Sequence, residues 1–111
     1  MRIISGTKKS ISIRAPKNLP VRPTTDKVKE SLFNIISNKF DIPGLTVLDL
    51  FSGTGNISYE FASRGCSEIV SIDKNHNCIR FINKTALNFD FNIQTKKIDY
   101  KVYLKNTKRK F

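Results

Sequence analysis

The sequence predicts an α/β fold built on a parallel sheet, and three observations lead to this prediction. Short apolar segments alternate with amphipathic ones, in the order strand, helix, strand, helix, strand. The three predicted strands end in Asp49, Asp73 and Asp99. A turn with Gly53 and Gly55 follows the first strand, where glycine lets backbone N–H groups approach a ligand. Because ligands bind beyond the carboxyl ends of parallel strands, we expect a small-molecule site there.

The predicted strands cover residues 45–49, 68–73 and 92–98, and the helices follow from apolar spacing and capping residues. Thr24 or Thr25 would cap the first helix, and Asn75 or Asp73 the third. The second helix would end at Arg64-Gly65. The positions expected on the buried face of the first helix are Val28, Leu32, Ile35, Ile36 and Phe40. Those expected on the third helix are Cys78, Ile79, Ile82, Ala86 and Phe89. A fourth helix would start near Tyr100.

The chain has 111 residues, enough for one small domain with a continuous core. Its 39% hydrophobic and 26% charged residues are typical of globular proteins. No apolar run approaches the ~20 residues of a membrane span, so we expect a soluble cytoplasmic protein. Cys66 and Cys78 are expected to be free packing thiols, with a disulfide as the alternative. Together with the single His76 they do not complete a zinc site, so no metal is expected.

The net charge of +11 is concentrated at the two ends of the sequence. Basic residues exceed acids by seven over residues 1–40 and by six over residues 93–111, whereas residues 41–92 carry two more acids than bases. A near-neutral middle between basic ends suggests a ligand-binding core whose flanking segments approach phosphates. The alternative is compositional drift, since the chain is rich in Ile, Asn and Lys.

Residues 1–23 are predicted to form a basic β-hairpin and an extended connector, and residues 24–111 the ligand-binding domain. Apolar and polar residues alternate on both sides of a Gly-Thr-Lys-Lys break, as in a hairpin. Three prolines then keep the connector out of helix and sheet. In this basic segment we expect Arg14, Lys17 and Arg22 to contact the phosphates of a nucleic acid.

Asp49 interrupts an apolar strand, where a buried carboxylate without a partner would cost several kcal/mol. It is therefore expected at the strand's end, facing a donor. The turn lacks the third glycine of the dinucleotide fingerprint, with Ser58 in its place, which disfavours an NAD-type Rossmann protein. A carboxylate four residues before the first glycine suits an ammonium group, and Asp73 remains for ribose hydroxyls. S-adenosyl-L-methionine is such a ligand; a tight turn with a capping residue is the simpler alternative.

The D-x-F-x-G-x-G pattern of residues 49–55 resembles the cofactor motif of Rossmann-like class I methyltransferases. The more selective block RPTTDKVKESLFN at residues 22–34, with the opening MRIISG, resembles the RsmD family of bacterial ribosomal RNA guanine-N2 methyltransferases. This resemblance implies the N-terminal part of that fold, with about three parallel strands and flanking helices after the hairpin. It also implies S-adenosyl-L-methionine as cofactor and ribosomal RNA or the small ribosomal subunit as partner.

The resemblance also implies a role for individual residues. Asp49, Phe51, Gly53 and Gly55 would line the methionine end of the cofactor. Asp73 would hold the ribose, and Asp99 with Tyr100 would lie near the adenine. Arg22 and Thr24 would lie where the connector meets the cofactor and the target base.

The sequence departs from the family in one respect. Family members place an Asn/Asp-Pro-Pro-Tyr/Phe motif after the next strand, where it accepts hydrogen bonds from the target amino group, but no proline follows Pro43 here. We therefore expect a chain truncated before that motif, with its catalytic residues beyond Phe111, little or no turnover, and association through an uncovered sheet edge. The alternative function is a non-catalytic basic RNA-binding module derived from such an enzyme.

Overall fold

The computed structural model describes residues 1–19 and 24–111. Its helices are α1 Asp26–Lys39, α2 Asn56–Ser63, α3 His76–Phe89 and α4 Tyr100–Asn106, with a 3-10 turn at Ile42–Gly44. Its strands are β1 Thr46–Asp49, β2 Glu68–Asp73 and β3 Ile93–Lys97. None of the described helices is long and apolar enough to cross a membrane.

The three strands form one parallel sheet in the order β1-β2-β3. Asp49 pairs in register with Ser71, and Asp73 pairs with Lys97, so the carboxyl ends of the strands lie at the same edge. The predicted α/β fold is confirmed. The predicted β2 has the observed bounds, whereas β3 is one residue shorter at each end than predicted.

Both faces of the sheet are covered, and the alternation of side chains along β2 separates the two layers. On one face Ile69 packs with Phe33 of α1 and Phe61 of α2. On the other face Val70 and Ile72 pack with Tyr103 of α4. Because β2 is buried on both sides, its near-continuous apolar sequence is the pattern expected for a central parallel strand.

The N-terminal residues pair antiparallel as predicted, but through a single bridge between Arg2 and Ser12. Ile3 and Ile13 are buried against Tyr59 of α2 and Ile82 of α3, so this hairpin lies on the helical layer. Gly6 has φ +93°, and a Cβ there would lie 1.9 Å from the carbonyl oxygen of Ser63. The close contact between the hairpin and α2 therefore requires glycine at this position.

The predicted buried face of α1 is wrong. Lys29 and Phe33 are the buried residues of α1, while Ile36 packs partly against the core. The other four positions expected to be buried, at 28, 32, 35 and 40, are exposed, with Val28 57% accessible. The reason is that an ion pair with Glu60 stabilises Lys29 inside the protein. The buried face of α1 therefore includes a lysine, and the apolar positions expected there are turned outward.

The predicted helix caps and free cysteines are confirmed. Thr25 caps α1 by accepting a hydrogen bond from the Val28 N–H at 3.3 Å, and Asn75 caps α3. Gly65 follows α2 with φ +101°, as expected for a left-handed helix end. Both cysteines are free and buried.

Candidate functional site

A cavity of about 560 Å³ lies at the carboxyl ends of β1 and β2. Its walls include the glycine turn after β1, Asp73 and Asn75 after β2, Asn56 at the start of α2, and Thr24. This volume falls within the ~300–1,000 Å³ of small-molecule sites. The structure therefore has a ligand-sized cavity where the sequence predicts one.

The glycine turn is anchored to the neighbouring strand. The Ser52 N–H donates to the carbonyl of Ile72 at 3.1 Å, and the Gly55 N–H donates to the carbonyl of Ser52 at 2.7 Å. Gly55 has φ +87°, and a Cβ there would lie 2.4 Å from Cζ of Tyr59. Glycine is thus needed at position 55 because Tyr59 of α2 packs against it, a reason that the sequence pattern did not indicate.

Asp73 joins the ends of β1 and β2 at the wall of the cavity. Its Oδ2 accepts the Gly53 N–H at 2.9 Å, and its Oδ1 accepts the Asn75 N–H at 2.8 Å. A carboxylate offers about four lone-pair sites, so further acceptor capacity remains on this side chain. Asp73 is therefore fixed in orientation and still able to bind hydroxyl groups.

The Asp49 carboxylate is hydrogen-bonded to α2. Its Oδ2 accepts the Ser58 hydroxyl at 2.7 Å, and the Ser58 and Ser71 hydroxyl oxygens lie 2.5 Å apart. Burial raises the pKa of Asp49, the hydrogen bonds from Ser58, Ser52 and the Phe51 N–H offset this only in part, and the charge of Asp73 adds slightly to the rise. Among the described residues Asp49, Gly55 and Asp99 lie outside the cavity wall.

Asp99 caps α4, where its Oδ1 accepts the Lys101 N–H at 2.8 Å. The next residue, Tyr100, packs against Phe51 with 4.7 Å between ring centroids. Phe51 lines the cavity and is 70% exposed. The three strand-end acids thus differ: Asp73 lines the cavity, Asp49 is outside its wall and bonded to α2, and Asp99 caps a helix whose first residue packs on the cavity-lining Phe51.

Comparison with known proteins identifies the family. The family model described as "Conserved hypothetical protein 95" matches residues 1–111. The chain belongs to this family.

Named relatives agree with the predicted resemblance to RsmD. The chain is 45% identical over 82 residues to "Putative rRNA methyltransferase YlbH" of Bacillus subtilis, covering 74% of this chain and 44% of that one. It is 36% identical over 87 residues to ribosomal RNA small subunit methyltransferase D of Buchnera aphidicola, covering 78% and 44%. The solved structure of "Putative methyltransferase yhhF" from Escherichia coli superposes with a TM-score of 0.82 at 28% identity, covering 94% and 56%. The chain spans about half the length of these relatives.

A buried ion-pair cluster that was not predicted from the sequence lies beside the cavity. Lys29 and Glu60 are both 0% exposed, and Lys29 Nζ lies 3.2 Å from Glu60 Oε1. Glu60 also accepts the N–H groups of Ile4 and Ser5 and the Nε–H of Arg64, at 2.9, 3.1 and 2.8 Å. The spacing of Glu60 and Arg64 by one helical turn could have indicated their ion pair from the sequence. The ion pair with Lys29 could not be predicted in this way, because it joins segments that are distant in the sequence.

Asn56 connects this cluster to the cavity. Its Oδ1 accepts Lys29 Nζ at 2.8 Å, while its Nδ2 donates to the carbonyl of Thr24 at 3.1 Å. Asn56 and Thr24 both line the cavity. The N-terminal hairpin, α1 and the cavity wall are therefore joined by one chain of polar contacts.

The residues predicted to contact RNA are only partly described. Arg14 and Lys17 are exposed, and Thr24 lies in the cavity wall. Arg22 falls outside the described residues. The structure thus brings Thr24 together with the predicted cofactor residues Phe51, Gly53 and Asp73.

Proposed function

We propose that this chain binds S-adenosyl-L-methionine in the cavity and serves a methyltransferase that modifies the N2 amino group of guanine in small-subunit ribosomal RNA. The observation that carries the proposal is Asp73, a strand-end carboxylate held by the Gly53 and Asn75 N–H groups in the wall of a ligand-sized cavity. The names of the Bacillus and Buchnera relatives support the reaction and the RNA substrate.

The nucleoside end of the cofactor would bind at Asp73 and the aromatic wall. Asp73 has remaining acceptor capacity for two ribose hydroxyls, which donate hydrogen bonds to a carboxylate. Phe51, packed on Tyr100, offers an exposed apolar face for the adenine side of the ligand. Asp99 would contribute by capping the helix that carries Tyr100.

The methionine end would bind near the glycine turn. Asp49 is the last residue of β1, just before that turn, and burial already disfavours its negative charge. A cationic amino acid group would compensate a charge that Ser58, Ser52 and the Phe51 N–H stabilise only as uncharged hydrogen-bond donors. The bound cofactor supplies a methyl group on a sulfonium, and these residues would hold and orient it.

The RNA side of the proposal rests on charge. The residues proposed to contact ribosomal RNA are Arg14, Lys17, Arg22 and Thr24. A protein that acts on this RNA would work in the cytoplasm. Cation contacts to phosphates release counterions, so binding should weaken as salt rises.

Calorimetric titration of the whole chain with S-adenosyl-L-methionine and with its demethylated product tests the cofactor proposal. We expect saturable heat with both ligands and none with NAD, which serves as the matched nucleotide control. If neither S-adenosyl-L-methionine nor its demethylated product gives heat, the cofactor assignment is refuted. If RNA still bound under those conditions, the basic RNA-binding module would replace the proposed function.

A further inference from the structure

A second, basic groove lies along β3, which is the outer strand of the described sheet on the side away from β1. The groove encloses about 490 Å³ between β3, α4 and the segment that follows α4. Its walls include Lys96, Lys108 and Arg109. Three cations therefore face one concave surface that the proposed cofactor site does not use.

The charges in this groove are compensated unequally. Arg109 donates to Gln94 Oε1 at 2.9 Å and lies 3.5 Å from Glu68 Oε2, so it ties the C-terminal segment to the sheet. Lys96 and Lys108 take part in none of the four ion pairs found among residues 1–19 and 24–111. Two positive charges in the groove thus remain open to an external anion.

The floor of the groove is formed by a buried aromatic side chain. Tyr103 is only 7% exposed and packs against β2, and Lys96 Nζ lies 5.9 Å from the centroid of its ring. The interaction of an ammonium group with a ring face restricts where that group lies. Lys96 is therefore held over the groove, which lowers the entropic cost of a contact to a phosphate.

The groove starts at the edge of the sheet where the ligand cavity lies. Lys97 pairs with Asp73 of the cavity wall, so the neighbouring Lys96 lies near the carboxyl ends of the strands. The contact of Arg109 with Glu68 lies at the opposite end of the sheet, where β2 begins. Four strand residues span about 13 Å, so an extended polyanion leaving the cavity end has a cationic path down β3.

We propose that this groove binds the phosphate backbone of a single-stranded RNA segment flanking the nucleotide to be modified. The inference rests on the proposed function for its RNA substrate. Two open lysines on a concave surface fit a chain of regularly spaced phosphates, and each phosphate contact releases counterions.

The test measures binding of a short fluorescein-labelled single-stranded RNA to the whole chain over a range of salt concentrations. The groove variant carries Lys96→Gln and Lys108→Gln. The control variant carries Lys39→Gln and Lys84→Gln, which remove the same charge from exposed lysines of α1 and α3. A third variant, Arg14→Gln with Lys17→Gln, tests the N-terminal contacts.

We expect the slope of log K against log salt to fall by about 1.4 in the groove variant, at ~0.7 per phosphate contact with a single strand, and to stay close to wild type in the control. Equal losses in groove and control variants would reduce the effect to net charge and overturn the groove. Loss only in the N-terminal variant would also overturn it while leaving the proposed function intact. Polyglutamate at the same charge concentration as the RNA serves as a competitor. If it displaces the RNA equally well from the wild type and from the groove variant, the surface binds anions in general, and the groove is overturned.

Discussion

Glu60 lies on α2, and Asp49 is hydrogen-bonded to α2 through Ser58, but the surroundings of these two carboxylates differ. Glu60 is fully buried yet surrounded by Lys29, Arg64 and two backbone N–H groups. Burial alone would raise the pKa of Glu60, but the Ile4 N–H, Arg64 and Lys29 together lower it. Asp49 is bonded to Ser58, and the charged group that acts on it is another carboxylate, so its pKa is raised.

This difference separates a structural charge from a candidate ligand-binding charge. The negative charge of Glu60 is satisfied within the protein, where it fixes the N-terminal hairpin to α2. The negative charge of Asp49 is accommodated at a cost, and a bound cation would remove that cost. Perturbed carboxylates beside a cavity are for this reason candidates for functional sites.

The largest effect is expected from Glu60→Gln. Removing one partner of a buried ion pair leaves Lys29 uncompensated, and we expect the free energy of unfolding to fall by about 3–5 kcal/mol. Urea denaturation measures this loss. Glu30→Gln, on the exposed side of α1, is the matched control and should change stability by less than about 0.5 kcal/mol. If Glu60→Gln loses no more free energy of unfolding than Glu30→Gln does, the ion pair contributes little.

Asp49→Asn should separate ligand binding from stability. A hydrogen bond to a charged group contributes about 1.5–3 kcal/mol, so the affinity for S-adenosyl-L-methionine should fall roughly 10–100-fold. Calorimetric titration gives this ratio against wild type. Asp90→Asn, a neutralised acid at the end of α3, should bind as wild type does. Unchanged affinity in the Asp49 variant would remove Asp49 from the site.

The smallest expected effect is the opposite pH dependence of the two carboxylates. The pKa of Glu60 is lowered on folding, so its contribution to stability is present above its ordinary value of 4.5 and is lost as pH falls through its folded-state pKa. The pKa of Asp49 is raised, so its contribution is present below 3.8 and is lost as pH rises through its folded-state pKa.

Denaturation of both variants over a pH series measures this contrast. The stability of Asp49→Asn relative to wild type should rise as pH rises through the folded-state pKa of Asp49. Glu60→Gln should lose less stability on acidification than wild type does. The same pH trend for both variants would contradict the opposite assignments.

Most of the fold followed from local sequence. The apolar run at Glu68–Asp73 and the caps at Thr25 and Asn75 involve neighbouring residues, so spacing alone could indicate them. Parallel order followed because strands separated by helices favour that topology. The position of the ligand cavity followed in turn, since it depends on where the strands end.

What the sequence did not indicate depends on contacts between distant residues. The buried face of α1 was predicted wrongly because Lys29 is compatible with the interior only when Glu60, 31 positions later, is paired with it. The orientation of Asp49 depends on Ser58 and Ser71, which lie on two other elements. Periodicity contains no information on such pairings.

The attachment of the N-terminal hairpin has a consequence for the order of folding. Ile4 contacts Glu60 across 56 positions, so the hairpin is synthesised well before the helix that holds it. At ~5–20 residues per second, roughly 3–11 s separate the synthesis of the two partners. During that interval Ile3 and Ile13 lack the Tyr59 and Ile82 side chains that bury them. The hairpin is therefore synthesised early but packs against α2 late, after the long loop between Ile4 and Glu60 has closed.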